Sequence, residues 1–315
     1  MKFSKKGLIY APDGSLRWAK KYAYPPTPLL MNDGVLRIYL AFCDDNMVGR
    51  AGYVDLDADN PSLVRQVSSQ PVLDTGAAGA FDENGVVPTS VIKVGELIYM
   101  YYVGYQLGYK VRYFQFQGLA ISADGGNTFT RYSRVPVLDR SDGELLNRAS
   151  AFVMHDDGIF RMWYVGGSAW ITAHGKTLPT YNMRYLESAD GKNWHKEGRV
   201  CLDFQNENEH ALGRPWVIKE RNGYRMFYSV RTRSSGYRLG YAESADGLHW
   251  QRKDAEVGID VSPAGWDSEM TAYSAIYRHK DRTYLFYNGN NCGETGFGYA
   301  VLDEPQAGDV QGCLS

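Results

Sequence analysis

Cysteine is scarce in this sequence, and so is any long apolar run. The four cysteines, Cys43, Cys201, Cys292 and Cys313, lie far apart with no C-x-x-C spacing. That argues against a zinc site, a redox motif and a disulfide framework. No apolar stretch approaches the length of a membrane-spanning helix. The first apolar run, Leu8 to Tyr10, is too short for the core of a secretory signal. These absences lead to the expectation of a cytoplasmic protein with no membrane partner. An excess of charge of one sign is missing as well. With 34 Lys and Arg against 36 Asp and Glu, the formal charge is −2, and nothing draws the chain to nucleic acid. No segment carries the 3.6-residue periodicity of an amphipathic helix, and no ligand cluster calls for a metal or cofactor.

What is abundant is tyrosine, at 24 of 315 residues, with 12 Phe and 7 Trp. Aromatics suit strands, and they suit platforms for ring-shaped ligands. They also recur in register. "LIYMYYVGY" (97–105), "IFRMWYVGG" (159–167), "GYRMFYSVR" (223–231) and "TYLFYNGN" (283–290) are alike, and "VLRIYLAFC" (35–43) is a weaker fifth copy. Each follows a tight polar turn, and another short apolar segment precedes each turn. Three copies of "SADG" begin at Ser122, Ser188 and Ser244. The repeating unit therefore reads strand, turn, strand, loop, strand, SADG turn, strand. Radial repetition of such a unit gives an all-β, five-bladed β-propeller. Its expected blades span about 26–74, 80–139, 144–203, 209–260 and 265–303 within a single domain. The last unit lacks a fourth strand, which residues 7–12 are expected to supply, closing the ring. Residues 304–315 read as a loose tail.

"SADGGNTF" fits the Asp-box pattern S-x-D-x-G-x-T-W/F, with Asp-Gly as the hairpin signal. As a third-to-fourth strand turn it reads as structural punctuation. The aromatics that follow, Phe129, Trp194 and Trp250, are placed to pack between blades. Chemistry is expected on the opposite face. The second-to-third loops there offer Trp170, His174, Arg231 and Asn290 as sugar-binding candidates. The links into the first strands carry acids, with Asp82, Glu144 and Asp267 at matching positions, Glu209 one residue later, and Glu269 without a counterpart. Paired carboxylates across a channel suit glycoside hydrolysis. Acids at matched positions equally suit a structural role repeated in every blade. Arg148 and Arg214 break the repeat at the start of first strands. Either an anionic ligand or a neighbouring acid would satisfy them.

In blade number, and in phrases such as "GRPWVIKERNGYRMFYS", "YAESADGLHW" and "GWDSEM", the chain resembles the five-bladed propeller superfamily of arabinanases, β-xylosidases, invertases, levansucrases and mannoside phosphorylases. The resemblance implies a funnel on the propeller axis that takes carbohydrate, with acids supplied by first strands of different blades. The family's Asp-Pro opening is absent. The matched positions read Pro26, Pro88, Ser150, Arg214 and Tyr273, and Arg214-Pro215 stands where Asp-Pro would. The expected function is a glycoside hydrolase or phosphorylase acting on a small, anionic sugar. Glu269, Asp267, Glu209, Glu144 and Asp82 are its candidate acids, and Arg148 and Arg214 would grip the anion. The alternative is a non-catalytic propeller that binds a glycan, a sugar nucleotide or a protein. A six-bladed sialidase would explain the Asp-box and the arginines but not five blades.

Overall fold

Short aromatic runs joined by polar turns pair with their sequence neighbours as antiparallel meanders. The computed structural model describes residues 1–303 except Asp33, His174, His195 and Lys196. The candidate His174 and the tail 304–315 thus lie outside the described residues. The first strand, β1 (Phe3–Tyr10), is set apart from the first meander, which is β2 (Lys21–Leu30), β3 (Val35–Cys43), β4 (Gly49–Asp57) and β5 (Val64–Val67). The second holds β6 (Val86–Val94), β7 (Leu97–Leu107), β8 (Tyr113–Ser122) and β9 (Thr130–Arg131). In the third are β10 (Asn147–Asp156), β11 (Ile159–Ala173), β12 (Lys176–Ser188) and β13 (Arg199–Leu202). β14 (Glu209–Glu220), β15 (Gly223–Thr232), β16 (Arg238–Ser244) and β17 (Gln251–Arg252) form the fourth. In the fifth, β18 (Ala272–His279), β19 (Arg282–Asn288) and β20 (Phe297–Leu302) are joined by β1, which pairs antiparallel with β20. No helix among the described residues is long and apolar enough to cross a membrane.

The first strands of the meanders lie against one another in sequence: β2 against β6, β6 against β10, β10 against β14 and β14 against β18. β18 in turn lies against β2. All five carry a register break in their pairing with the second strand, at Tyr24/Thr27, Pro88/Ser90, Ala149/Phe152, Gly213/Trp216 and Ala272/Ala275. Such bulges bend a strand and re-aim its side chains.

The SADG turns join neighbouring meanders. Within each turn the Asp carboxylate gathers local N–H groups; Asp124 Oδ1 accepts from the Asn127 and Thr128 amides, both at 3.0 Å. The glycine carbonyl then accepts from the second strand of the meander before it. Tyr39 donates to Gly126 at 2.9 Å, Tyr101 to Gly191 at 2.7 Å and Trp163 Nε1 to Gly247 at 2.8 Å. The matching residue of the fourth meander is Phe227, which has no polar tip, and the fifth meander has no SADG turn. Gly191 has φ +68°, and a Cβ there would stand 2.7 Å from the Tyr101 hydroxyl, so no other residue fits the latch. Tyr101→Phe should remove one buried hydrogen bond and cost ~1 kcal/mol in urea unfolding. An unchanged midpoint in this variant and in Tyr39→Phe would refute the latch.

Candidate functional site

Four of the acidic candidates are buried in ion-pair clusters. Asp82 is fully buried, accepts from the Tyr102 hydroxyl at 3.0 Å and pairs with Arg131 Nε at 2.8 Å. Glu144, also fully buried, accepts from Tyr164 at 2.8 Å and pairs with Arg148 Nε at 2.9 Å and Arg184 Nε at 3.5 Å. Glu209 takes both terminal nitrogens of Arg252, at 2.7 and 2.9 Å. There the second-strand tyrosine, Tyr228, bonds Asp254 instead, at 2.5 Å. Asp267 accepts from Tyr287 at 2.8 Å and from Lys5 Nζ at 2.6 Å. Burial alone would raise the Asp267 pKa, but the bonds from Lys5, Ser262 and Tyr287 outweigh it and hold the carboxyl below its ordinary value. Each of these acids, at or just before a first strand, thus grips a cation, and three of them, Asp82, Glu144 and Asp267, also take the second-strand tyrosine. That cation comes from the fourth strand, β9 or β17, in the second and fourth meanders, from β10 and β12 in the third, and from β1 in the fifth. Arg148 belongs to one of these clusters.

The first strands enclose a central cavity that draws side chains from all five meanders. Its inner part is lined by Tyr24, Thr89, Ser150, Arg214, Tyr237 and Tyr273, among others. The outer part, ≈ 290 Å³, shares Tyr181 with the inner part and adds Tyr22, Tyr113, His210, Arg231 and Cys292. Among the described residues, none of the lining side chains is Asp or Glu. Ser150, Arg214 and Tyr273, three of the five positions matched to the family's Asp-Pro opening, have φ of +54°, +53° and +57°. Left-handed backbone at a non-glycine residue costs about 1–3 kcal/mol and gathers at functional sites. Here it falls within the bulges and turns these residues to the cavity. Ser229 Oγ holds the Tyr273 amide at 2.8 Å.

Charge in the cavity is one-sided. Of the three buried arginines among the described residues, Arg37 rests on Asp55 and Arg148 on Glu144. Arg214, 1% exposed, has no carboxylate within ion-pair distance among the described residues. It donates to the Thr89 carbonyl, to Pro26 O at 2.8 Å and to Thr27 Oγ1 at 3.0 Å, and its Nε has no partner. Burial pushes its pKa down to about 9, which still leaves a cation at neutral pH. Arg231, over the Tyr237 ring at 5.4 Å, also lacks a carboxylate within ion-pair distance among the described residues. The Tyr181 and Tyr237 hydroxyls bond each other beside it. Two cations without counter-charge, ringed by tyrosines, can hold an anion and offer aromatic faces to a sugar ring.

Other candidates sit around this cavity or away from it. Trp170 packs edge-on at 5.4 Å against Tyr113, a lining residue. Asn290 braces a loop, its Oδ1 accepting from the Glu269 and Met270 amides at 2.8 and 3.2 Å. Glu269 is exposed, and its neighbour Met270 packs with Tyr237, Tyr273 and Cys292. Among the described residues no group of three His, Cys, Asp or Glu has metal-binding geometry. Sequence reading missed His210 and the tyrosine lining. The signal for the tyrosines was their surplus, but which of the 24 face the cavity depends on the bulges.

The fold is that of the propeller glycosidases. A solved glycoside hydrolase superposes with a TM-score of 0.71 at 20% identity, covering 96% of this chain and 92% of its own. A thermostable family-43 glycoside hydrolase gives 0.68 at 16%, covering 93% and 90%. The chain belongs to the family of the uncharacterized protein Rv1502 of Mycobacterium tuberculosis, with 34% identity over 303 residues, 96% of this chain and 100% of that one. It is also similar to a 1,2-beta-oligomannan phosphorylase of Thermoanaerobacter, 22% identical over 295 residues, 76% of this chain and 97% of the relative. No family model matches the chain.

Proposed function

We propose that the five meanders are the blades of one five-bladed propeller closed by β1, and that the chain is a carbohydrate-active enzyme of the glycoside hydrolase or phosphorylase type. Its ligand is a small anionic sugar in the central cavity. The observation that carries the ligand reading is Arg214, a buried cation aimed at the cavity with no carboxylate partner and an unused Nε. A sugar carboxylate, a sugar phosphate or an attacking phosphate supplies the missing charge, and Arg231 supplies the second cation. The carbohydrate class is supported by the glycoside hydrolases that share the fold and by the oligomannan phosphorylase relative.

Glu269 is the candidate acid not spent in a buried ion pair, and it sits beside the lining residues through Met270. A second reading, a sugar-binding propeller without turnover, is favoured by the cavity's lack of acidic lining. Glycoside hydrolysis ordinarily needs two carboxyl groups about 5–9.5 Å apart. A panel of aryl glycosides and oligomannans, incubated with and without inorganic phosphate, separates the readings. Turnover by the wild type that is lost in Glu269→Gln but kept in Glu209→Gln is the expected result. If nothing turns over while both variants still bind sugar, the enzyme reading is wrong.

A further inference from the structure

His210 follows Glu209 in β14, and its side chain turns to the cavity while Glu209 turns to Arg252. The imidazole is 1% exposed. Nδ1 lies 3.2 Å from the carbonyl of Pro179, on the β12 wall of the same cavity. A carbonyl only accepts, so Nδ1 carries a proton, and in the neutral ring Nε2 is then a bare lone pair. Nε2 is buried and has no hydrogen-bond partner among the described residues. Leaving a buried acceptor unpaired is costly, and such groups in native proteins call for an explanation.

The surroundings give one. Arg214 and Arg231 are donors only, and the Tyr181 and Tyr237 hydroxyls already bond each other. A sugar brings hydroxyl donors as well as an anion. We propose that His210 Nε2 is an acceptor for a ligand hydroxyl, fixing the sugar ring while the arginines take its charge. This rests on the anionic-sugar reading of the cavity. The groups facing the imidazole favour the neutral form. Burial pushes its pKa down, the Pro179 carbonyl opposes this, and Arg231 of β15 and Arg233 just beyond it push it down further. Tyr181 of β12, Tyr237 ahead of β16, Tyr113 of β8 and Cys292 also line that part of the cavity, and burial keeps them neutral. The acceptor therefore persists at neutral pH.

Nitrogen NMR of the full chain, labelled on histidine at pH 7, tests the assignment. Spectra are taken alone and with mannose 1-phosphate, glucuronate and inorganic phosphate, and the His210→Gln spectrum identifies the resonances. Calorimetry on wild type, His210→Gln and His210→Phe accompanies them. The free chain should show a protonated Nδ1 and an unprotonated Nε2. The sugar probe that binds should move the Nε2 resonance, and inorganic phosphate should not. His210→Phe should weaken that probe by about tenfold or more, while His210→Gln, whose amide oxygen still accepts, stays within about threefold. A sugar that binds the wild type with the Nε2 resonance unmoved overturns the His210 assignment and leaves the cavity reading intact. So does a free chain protonated on Nε2. If no probe binds, the anionic-sugar reading falls, and the assignment falls with it.

Discussion

Arg214→Gln is expected to weaken the binding of an anionic sugar by two to three orders of magnitude, ~3–4 kcal/mol, while the affinity for a neutral sugar of the same size changes far less. The magnitude follows from the partner left behind: an anion held in a dry cavity loses its buried, hydrogen-bonded counter-charge. Stability should move in a different way. In the empty chain the Arg214 charge is buried without a carboxylate and its backbone is left-handed, so the residue is a burden the fold carries for the ligand. Removing the charge relieves part of that burden, and the lost bonds to Pro26, Thr27 and Thr89 offset it. A large drop in affinity with a melting temperature within a few degrees of wild type is the signature. Equal affinity for mannose 1-phosphate in wild type and variant, by calorimetry, would remove Arg214 from the site.

The second large effect is on the fifth meander. Asp267→Ala removes the acceptor shared by Lys5 and the buried Tyr287 hydroxyl, leaves Lys5 with Ser262 Oγ alone among the described residues, and should cost ~3–5 kcal/mol. In a chain of this size that lowers the melting temperature by roughly 10 °C. Deleting residues 1–12 removes Lys5 together with the whole β1–β20 ladder, and should lower it further. A truncated chain that melts with the wild type would contradict the role given to β1. The pH dependence has a definite sign. The Asp267 carboxyl titrates below its unfolded value of about 3.8, so its contribution is fully present above that pH. It is lost as the pH falls below that value and through the folded pKa. Lys5→Met should flatten that acid limb.

The repeat was legible because strands and turns are local. The aromatic runs and their polar turns lie within a few residues of one another, and each became a hairpin. Even the latch between meanders has a sequence trace: Tyr39, Tyr101 and Trp163 precede a meander with SADG, and Phe227 precedes the one without it. Arg214 was legible as a departure from the repeat. The fate of most of the acids was not, because, Glu144 with Arg148 apart, their partners are remote in sequence. Asp82 meets Arg131, Glu209 meets Arg252 and Asp267 meets Lys5, 262 residues away. Matched spacing exposed the acids as a set, but only packing shows the cluster that each completes. His210 was hidden for a related reason. Its character is set by the carbonyl of Pro179, in another meander, and by the emptiness around Nε2.

A crystal structure of the chain with mannose 1-phosphate or glucuronate bound is the most direct measurement of the central claim. The anion is expected in the central cavity, in contact with Arg214 Nε and Arg231, with the sugar ring between the tyrosines. A ligand seated outside the cavity, or inside it with its charged group turned away from both arginines, would contradict it.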